Sequence, residues 1–433
     1  MTELQKRSVF SRIGPGLITA CVVVGPGSIV TSSTVGANHG YAMLWVVIVS
    51  VVFMQAYMMM GAKLGSVADQ SPCDLIRQKV GGWLAATVGI SVMIICMAFQ
   101  AGNNIAVASV FETLVKSGDP NSSQDYSMLV AGLVVAFNAI AIVFLFAFKD
   151  LYSWFERLMM AFVGLMLISF VVNLCALGPD PVAMAKGLIP QVAKVDLALL
   201  GLIGTTFIAA AAFYQAYLVR QKGWGKDQVK DAIIDARIGS VIMAVITVVL
   251  ISTAAAGLHQ PGQEVQLKDA AAVGEALKPT FGESGKLIFC LGLFCAAYSS
   301  FLINAMIGGF MAADGFSLGS KPTDKWPKIL TAVNLLMGMF VAIAMTVLRF
   351  DSTPAIIVAQ VIAVVFSPLI AGVLLWLTSD RSVMNKDANG AVLKIVGTLG
   401  LVFLIAAAAN TAIFKLPAKI DKYLNPPPVE SAE

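Results

Sequence analysis

The chain has 433 residues, of which 58% are hydrophobic and 12% charged, and its formal net charge is +4 at pH 7. A soluble domain carries about 25% charged residues, so an ordinary cytosolic globule is excluded. The positive excess sits in particular connections rather than in a basic stripe, so it reports membrane topology and excludes a nucleic-acid partner.

Apolar runs recur along the whole length, long enough to cross a bilayer core of roughly 30 Å. They are continuous rather than alternating, which predicts helices and not the strands of an outer-membrane barrel. Eleven spans are expected, near 12–37, 41–62, 83–114, 127–147, 152–177, 197–219, 237–258, 285–313, 328–348, 354–378 and 393–414. Lys6, Arg7 and Arg12 precede the first run, but no small-residue cleavage site follows it, so this helix is expected to stay in the mature protein. The fold class is therefore an all-α polytopic membrane protein, with the lipid bilayer as one obligatory partner. Nothing in the sequence sets the oligomeric state.

Alternation of the connections puts Lys63, Arg77, Lys79, Lys149, Arg220, Lys222, Lys226, Lys230, Arg237, Lys321, Lys325, Lys328, Arg381 and Lys386 on the side of the N-terminus. By the positive-inside rule that side is cytoplasmic. The expected order is a cytoplasmic segment 1–11, helices one to five over 12–177, an outer loop 178–196, helices six to ten over 197–378, an eleventh helix over 379–414 and an outer tail 415–433. The location expected is an inner or plasma membrane.

In the first span, Gly25, Pro26, Gly27 and Ser28 interrupt the apolar run. A proline between glycines removes a backbone donor and permits non-helical dihedrals, which frees backbone groups near the bilayer centre. In the third span, Gln100, Asn103 and Asn104 share one helix face by their spacing and form a polar pathway or an interhelical network. The sixth span carries Gly204, Thr205, Thr206, Phe207 and Ile208, then Ala209, Ala210, Ala211 and Ala212, and later Gln215. The alanines offer no side-chain ligand. Their plain role is close helix packing. The eighth span adds Tyr298, Ser299, Ser300 and Asn304, and the tenth adds Gln360. Two interrupted helices five spans apart are what an inverted repeat of five plus five helices predicts, with a solute site at the midplane where they meet. The eleventh helix is then an appendage.

The six cysteines, Cys21, Cys73, Cys96, Cys175, Cys290 and Cys295, form no C-x-x-C pair and read as small core hydrophobes. No nucleophile, base and orienter fall together. The reading is a transporter without a cofactor, and not an enzyme.

In order along nearly the whole chain, these features resemble the Nramp family, the natural resistance-associated macrophage proteins, which are LeuT-type transporters of divalent metals. Tyr298, Ser299 and Ser300, then Gly308, Gly309, Phe310 and Met311, then Asp314, Gly315 and Phe316 are similar to that family's eighth helix. Gln360 with Val361, and Pro368 beyond, resemble its tenth. The departures fall on the chemistry. The family's Asp-Pro-Gly-Asn is here Gly25, Pro26, Gly27, Ser28, and its Met-Pro-His falls near Ile208, Ala209, Ala210. Its acidic proton path lines up with Gln100 and Asn103. None of the usual family metal ligands is retained.

The site expected to bind substrate is thus Gly25, Pro26, Gly27, Ser28, Ala209, Ala210, Ala211, Asn304 and Gln360, with Gln100, Asn103, Asn104 and Gln215 as a polar pathway. Stripping an ion of water costs several kcal/mol even after relaxation (~ per charge), and this set offers only neutral groups. The first expectation is therefore a small organic acid, amide or zwitterion held at half-helix N-termini. The alternative is a divalent metal ion, Mg2+ or Mn2+-like, that keeps part of its hydration. A membrane sensor without transport is a third reading.

Overall fold

The computed structural model describes residues 14–23, 25–117, 125–147, 171–191, 195–263, 278–321 and 323–415, with Gly164, Ile168, Val265 and Leu267 besides. Regular structure among them is helical: α1 (Pro15–Val23), α2 (Pro26–His39), α3 (Leu44–Val67), α4 (Pro72–Lys79), α5 (Gly82–Ser117), α6 (Ser127–Ala147), α7 (Pro181–Gly187), α8 (Leu197–Thr206), α9 (Ala209–Gln221), α10 (Val229–Leu258), α11 (Lys278–Gly315), α12 (Lys325–Val347), α13 (Ser352–Ser379), α14 (Arg381–Met384) and α15 (Ala391–Asn410). Eight helices among the described residues are long and apolar enough to cross a membrane, counting α8 with α9, and Ser127–Val143 is a shorter apolar one. The expected first span is divided between α1 and α2. The expected fifth span, 152–177, lies outside the described residues apart from Gly164, Ile168 and 171–177, as do Lys149, segment 1–11 and tail 416–433. Among the described residues there are thus eight such helices where the sequence predicts eleven spans, the fifth of which falls mostly outside them.

Helix starts follow local chemistry. Asp196 caps α8 by accepting the Leu199 amide at 2.7 Å, Asp180 caps α7 through the Val182 and Ala183 amides, and Ser71 caps α4 through the Asp74 amide, each satisfying an end donor. Pro15, Pro26, Pro72 and Pro181 each open a helix, where the missing N–H is no loss and the fixed φ suits the first turn.

The same rule explains the first break. Pro26 cannot continue α1 but is well placed to start α2, and Gly25 before it is extended, with φ −95° and ψ 179°. The second break has no proline. Phe207 and Ile208 leave the helix at ψ 72° and 93°, and the fully buried Phe207 ring packs 5.1 Å from that of Tyr57 and 6.0 Å from that of Phe53. Tertiary packing here overrides the propensity of an alanine-rich run.

The broken helices sit inside the bundle. α10 packs on α1, α2 and α3, α13 packs on α5 and α8, and α11 lies along α5 with α12 against both. The most apolar window of Leu197–Gln221 is 94% buried, against 22% for Ala391–Lys415. The first is core, and the second presents most of its surface outward, as an appended helix does.

Candidate substrate site at the two helix breaks

The two breaks meet at one cavity. Its wall is Gly25, Gly27 and Ser28 from the first break, Thr205 and Ile208 from the second, Phe99 and Asn103 of α5, Ser300 and Asn304 of α11, and Gln360 of α13. Every one of these residues is buried. The free space is about 10 Å³ measured at the centre of a water-sized sphere, room for about one water.

Gly25 and Gly27 permit close approach. A Cβ on Gly25 would lie 2.5 Å from Ser300 Oγ, and one on Gly27 would lie 2.0 Å from Gln360 Nε2. The absent side chains let Ser300 and Gln360 press onto the backbone of the break. Asn304 donates its Nδ2 to Ser300 Oγ at 2.7 Å. The buried Asn304 Oδ1 and Ser28 Oγ have no hydrogen-bond partner. Two oxygen acceptors thus stand unsatisfied in one wall, an arrangement that costs free energy unless something occupies it.

A row of amides leads sideways from the cavity. Asn103 donates to Gln100 Oε1 at 3.0 Å, Asn104 to the Gln100 carbonyl at 2.8 Å, and Asn138 of α6 to Asn104 Oδ1 at 2.6 Å. Carboxamides neither gain nor lose a proton near neutral pH, so the row orders α5 against α6 without providing a titrating relay.

Of the thirteen residues expected from sequence, the cavity gathers Gly25, Gly27, Ser28, Asn103, Asn304 and Gln360. Pro26 opens α2 beside the wall without lining it. Ala209, Ala210 and Ala211 do not line it either. They are buried in the first turn of α9, which approaches α3 so closely that a Cβ on Gly61 would meet the Ala212 carbonyl at 2.0 Å. Their small size serves packing, as the plain reading had it. Gln100 and Asn104 stand one step back in the amide row. Gln215 is elsewhere, since its carboxamide is hydrogen-bonded to the Thr19 hydroxyl, and so ties α9 to α1. The residues missed are Phe99, Thr205, Ile208 and Ser300. Ser300, four residues before Asn304, had a signal in its helical spacing.

Both ends of the site are fastened. Towards the start of α1, Asp235 of α10 accepts the amides of Gly14 at 2.7 Å and Gly16 at 2.5 Å. On the same side Asp314, at the end of α11, accepts Ser71 Oγ at 2.8 Å and the Tyr217 hydroxyl at 2.5 Å, while Arg77 holds the carbonyls of Asp314 and Gly315 at 2.9 and 3.0 Å. At the opposite end His39, closing α2, meets Asp196, the cap of α8, at 2.8 Å. The hydrogen bond to Asp196 raises the His39 pKa above 6.5 against the opposing effect of burial. Burial disfavours the Asp196 carboxylate, but the bonds from His39 and the Leu199 amide outweigh it and hold its pKa below 3.8.

A helical bundle whose two interrupted helices meet at a buried polar cavity, latched at either end, defines a secondary membrane transporter of the LeuT type. The family model described as natural resistance-associated macrophage protein-like matches residues 16–413, and the chain belongs to the Nramp family. The divalent metal cation transporter MntH of Mycobacterium leprae is 23% identical over 415 residues, covering 92% of this chain and 90% of that protein. In fold the chain is similar to the manganese transporter of Eremococcus coleocola, with a TM-score of 0.77 at 20% identity over 99% of this chain and 91% of that one. It is also similar to MhsT in complex with L-phenylalanine, with a TM-score of 0.55 at 16% identity over 91% of this chain and 98% of that one.

Proposed function

We infer that the chain carries a divalent cation across the membrane by alternating access, binding it at the two helix breaks through neutral oxygens and retained water. The observation that carries this reading is the pair of unpartnered acceptors, Ser28 Oγ and Asn304 Oδ1, in a cavity with room for about one water. Oxygen ligands of this kind suit hard cations such as Mg2+ and Mn2+. The C-terminal end of α8 brings partial negative charge and unpaired carbonyls to the same place.

Between the two expectations drawn from sequence, support falls on the cation and not on the organic acid, amide or zwitterion. The cavity is an ion's size rather than a zwitterion's, its wall contains no cationic side chain for a carboxylate, and relatives along the whole chain are divalent metal cation transporters. Among the described residues no group of three His, Cys, Asp or Glu could hold a metal. Neutral ligands do not repay complete dehydration, so the cation keeps part of its water shell. Such a site favours Mg2+, which dehydrates reluctantly, and binds more weakly than a carboxylate site.

In this reading Gly25, Gly27, Ser28, Asn304 and Gln360 form the binding wall, Ser300 and Asn103 support it, and transport is uncoupled from protons along the amide row. The N-terminus is cytoplasmic by the distribution of Lys and Arg, and the two five-helix repeats run over 12–177 and 197–378. Thermal unfolding with a panel of ligands tests the cargo, because a ligand stabilises the state that binds it. Millimolar Mg2+ or Mn2+ is expected to raise the unfolding temperature, and small carboxylates, amides and amino acids are not. The reverse pattern overturns the reading.

A further inference from the structure

A second cavity, of about 820 Å³, lies between α5, α12 and α13, away from the latches at the substrate site. Ala98 and Ala101 of α5 and Ala355 and Ala359 of α13 are among its lining residues. Small residues on facing helices permit close contact, and α5 packs against both α12 and α13, so the alanines form the floor of an apolar furrow beside those contacts. Along α12 it runs from Met337 to Arg349, about 18 Å at 1.5 Å per residue, which is close to the depth of one leaflet of a roughly 30 Å core.

The mouth is charged. Arg349 and Asp351 line it, and Arg349 Nη2 also donates to Asp125 at 2.8 Å. Asp351 stands at the N-cap of α13 without making a capping bond. Arg349 itself takes φ +56° just past the end of α12, where the Phe350 amide returns to the Met345 carbonyl at 3.0 Å. That is the left-handed position at which glycine is favoured. A long cationic side chain is retained there against backbone preference.

We propose that this furrow seats one acyl chain of a phosphatidylethanolamine, with the lipid phosphate on Arg349 and its ammonium on Asp351 and Asp125. One guanidinium flanked by two carboxylates complements a head group carrying both signs. The same mouth disfavours a purely anionic head, and a quaternary ammonium has no N–H to donate to the carboxylates. The floor is thin. A Cβ on Gly102 would lie 3.6 Å from Gln360 Nε2 and 3.8 Å from the Ala359 methyl, so the lipid chain lies directly behind the Gln360 arm of the substrate cavity.

Native mass spectrometry of the full chain, supplied with equal amounts of phosphatidylethanolamine, phosphatidylcholine and phosphatidylglycerol, tests this independently of cargo. One phosphatidylethanolamine is expected to be retained preferentially. Arg349→Gly suits the left-handed backbone, so its unfolding temperature in detergent is expected to hold or rise, while the preference falls about threefold to fivefold, the scale of an exposed ion pair. Ala355→Phe, which fills the furrow, is expected to lose retention of all three lipids. Equal retention of the three by the unaltered protein, an undiminished preference in Arg349→Gly, or a second copy of the chain in place of lipid overturns the proposal.

Discussion

Asn304 donates to the hydroxyl of Ser300 one turn back on α11, at 2.7 Å, and thereby leaves its own carbonyl oxygen in the cavity without a donor. The pair fixes the orientation of the amide in the cavity wall. Ser300 also fills the space beside Gly25. A side chain at position 25 would begin 2.5 Å from Ser300 Oγ and 2.9 Å from Ser300 Cβ.

Asn304→Asp is expected to convert the site to a carboxylate site with little change of shape. Two opposite unit charges at 4 Å interact by about 4 kcal/mol at an effective dielectric of 20, and part of that is lost to desolvation. Mn2+ binding measured by calorimetry should tighten tenfold or more. Gly25→Asp, which restores the family's residue directly, is expected to destabilise the protein by roughly 1–3 kcal/mol through overpacking, and to gain affinity only with Ser300→Gly.

Gly27→Ala places a methyl 2.0 Å from Gln360 Nε2. The glutamine end is flexible and can swing away, so folding should survive at a cost of about 1–3 kcal/mol. Cation uptake into proteoliposomes should fall tenfold or more, because a ligand arm has been displaced. Near-normal uptake would remove Gln360 from the site.

Asp235→Ala removes the carboxylate that holds the Gly14 and Gly16 amides. Removing an acceptor from buried donors costs about 1–3 kcal/mol, concentrated at the start of α1. Hydrogen exchange over residues 15–23 should accelerate, while exchange in α12, which lies outside the latch, stays as it was.

The His39–Asp196 latch carries a pH dependence of definite sign. His39 has a raised pKa, so its contribution is complete below 6.5 and is lost as pH rises through the folded value. Asp196 has a lowered pKa, so its contribution is present above 3.8 and is lost as pH falls through its folded value. Stability from the pair is greatest between those two ordinary values and declines above pH 6.5. Unfolding temperatures of the unaltered chain and of His39→Gln should differ most near pH 5–6 and converge at alkaline pH. A constant difference across that range would remove the charge from the account.

How far the sequence disclosed this site depends on the element. The first break was legible because Gly25, Pro26 and Gly27 act locally, through missing donors and missing side chains. The second carries a weaker local signal. Four alanines favour helix, and the chain turns at Phe207 because Tyr57 and Phe53, distant in sequence, receive its ring. Ala209, Ala210 and Ala211, expected at the site, lie in the first turn of α9 outside the cavity wall. The latches formed by Asp235 and Asp314 join residues 221 and 243 positions apart, a separation that no local pattern signals. Gln215 is expected in a polar pathway, but its partner on α1 is not foreseeable from helix periodicity.

Uptake of Mg2+ and Mn2+ into proteoliposomes, by the unaltered chain and by Asn304→Ala and Gln360→Ala, tests the central claim most directly. The account predicts saturable uptake of a divalent cation, without stoichiometric proton entry, reduced tenfold or more in both variants. No saturable uptake of either ion, together with saturable uptake of a small carboxylate, amide or zwitterion, would contradict it.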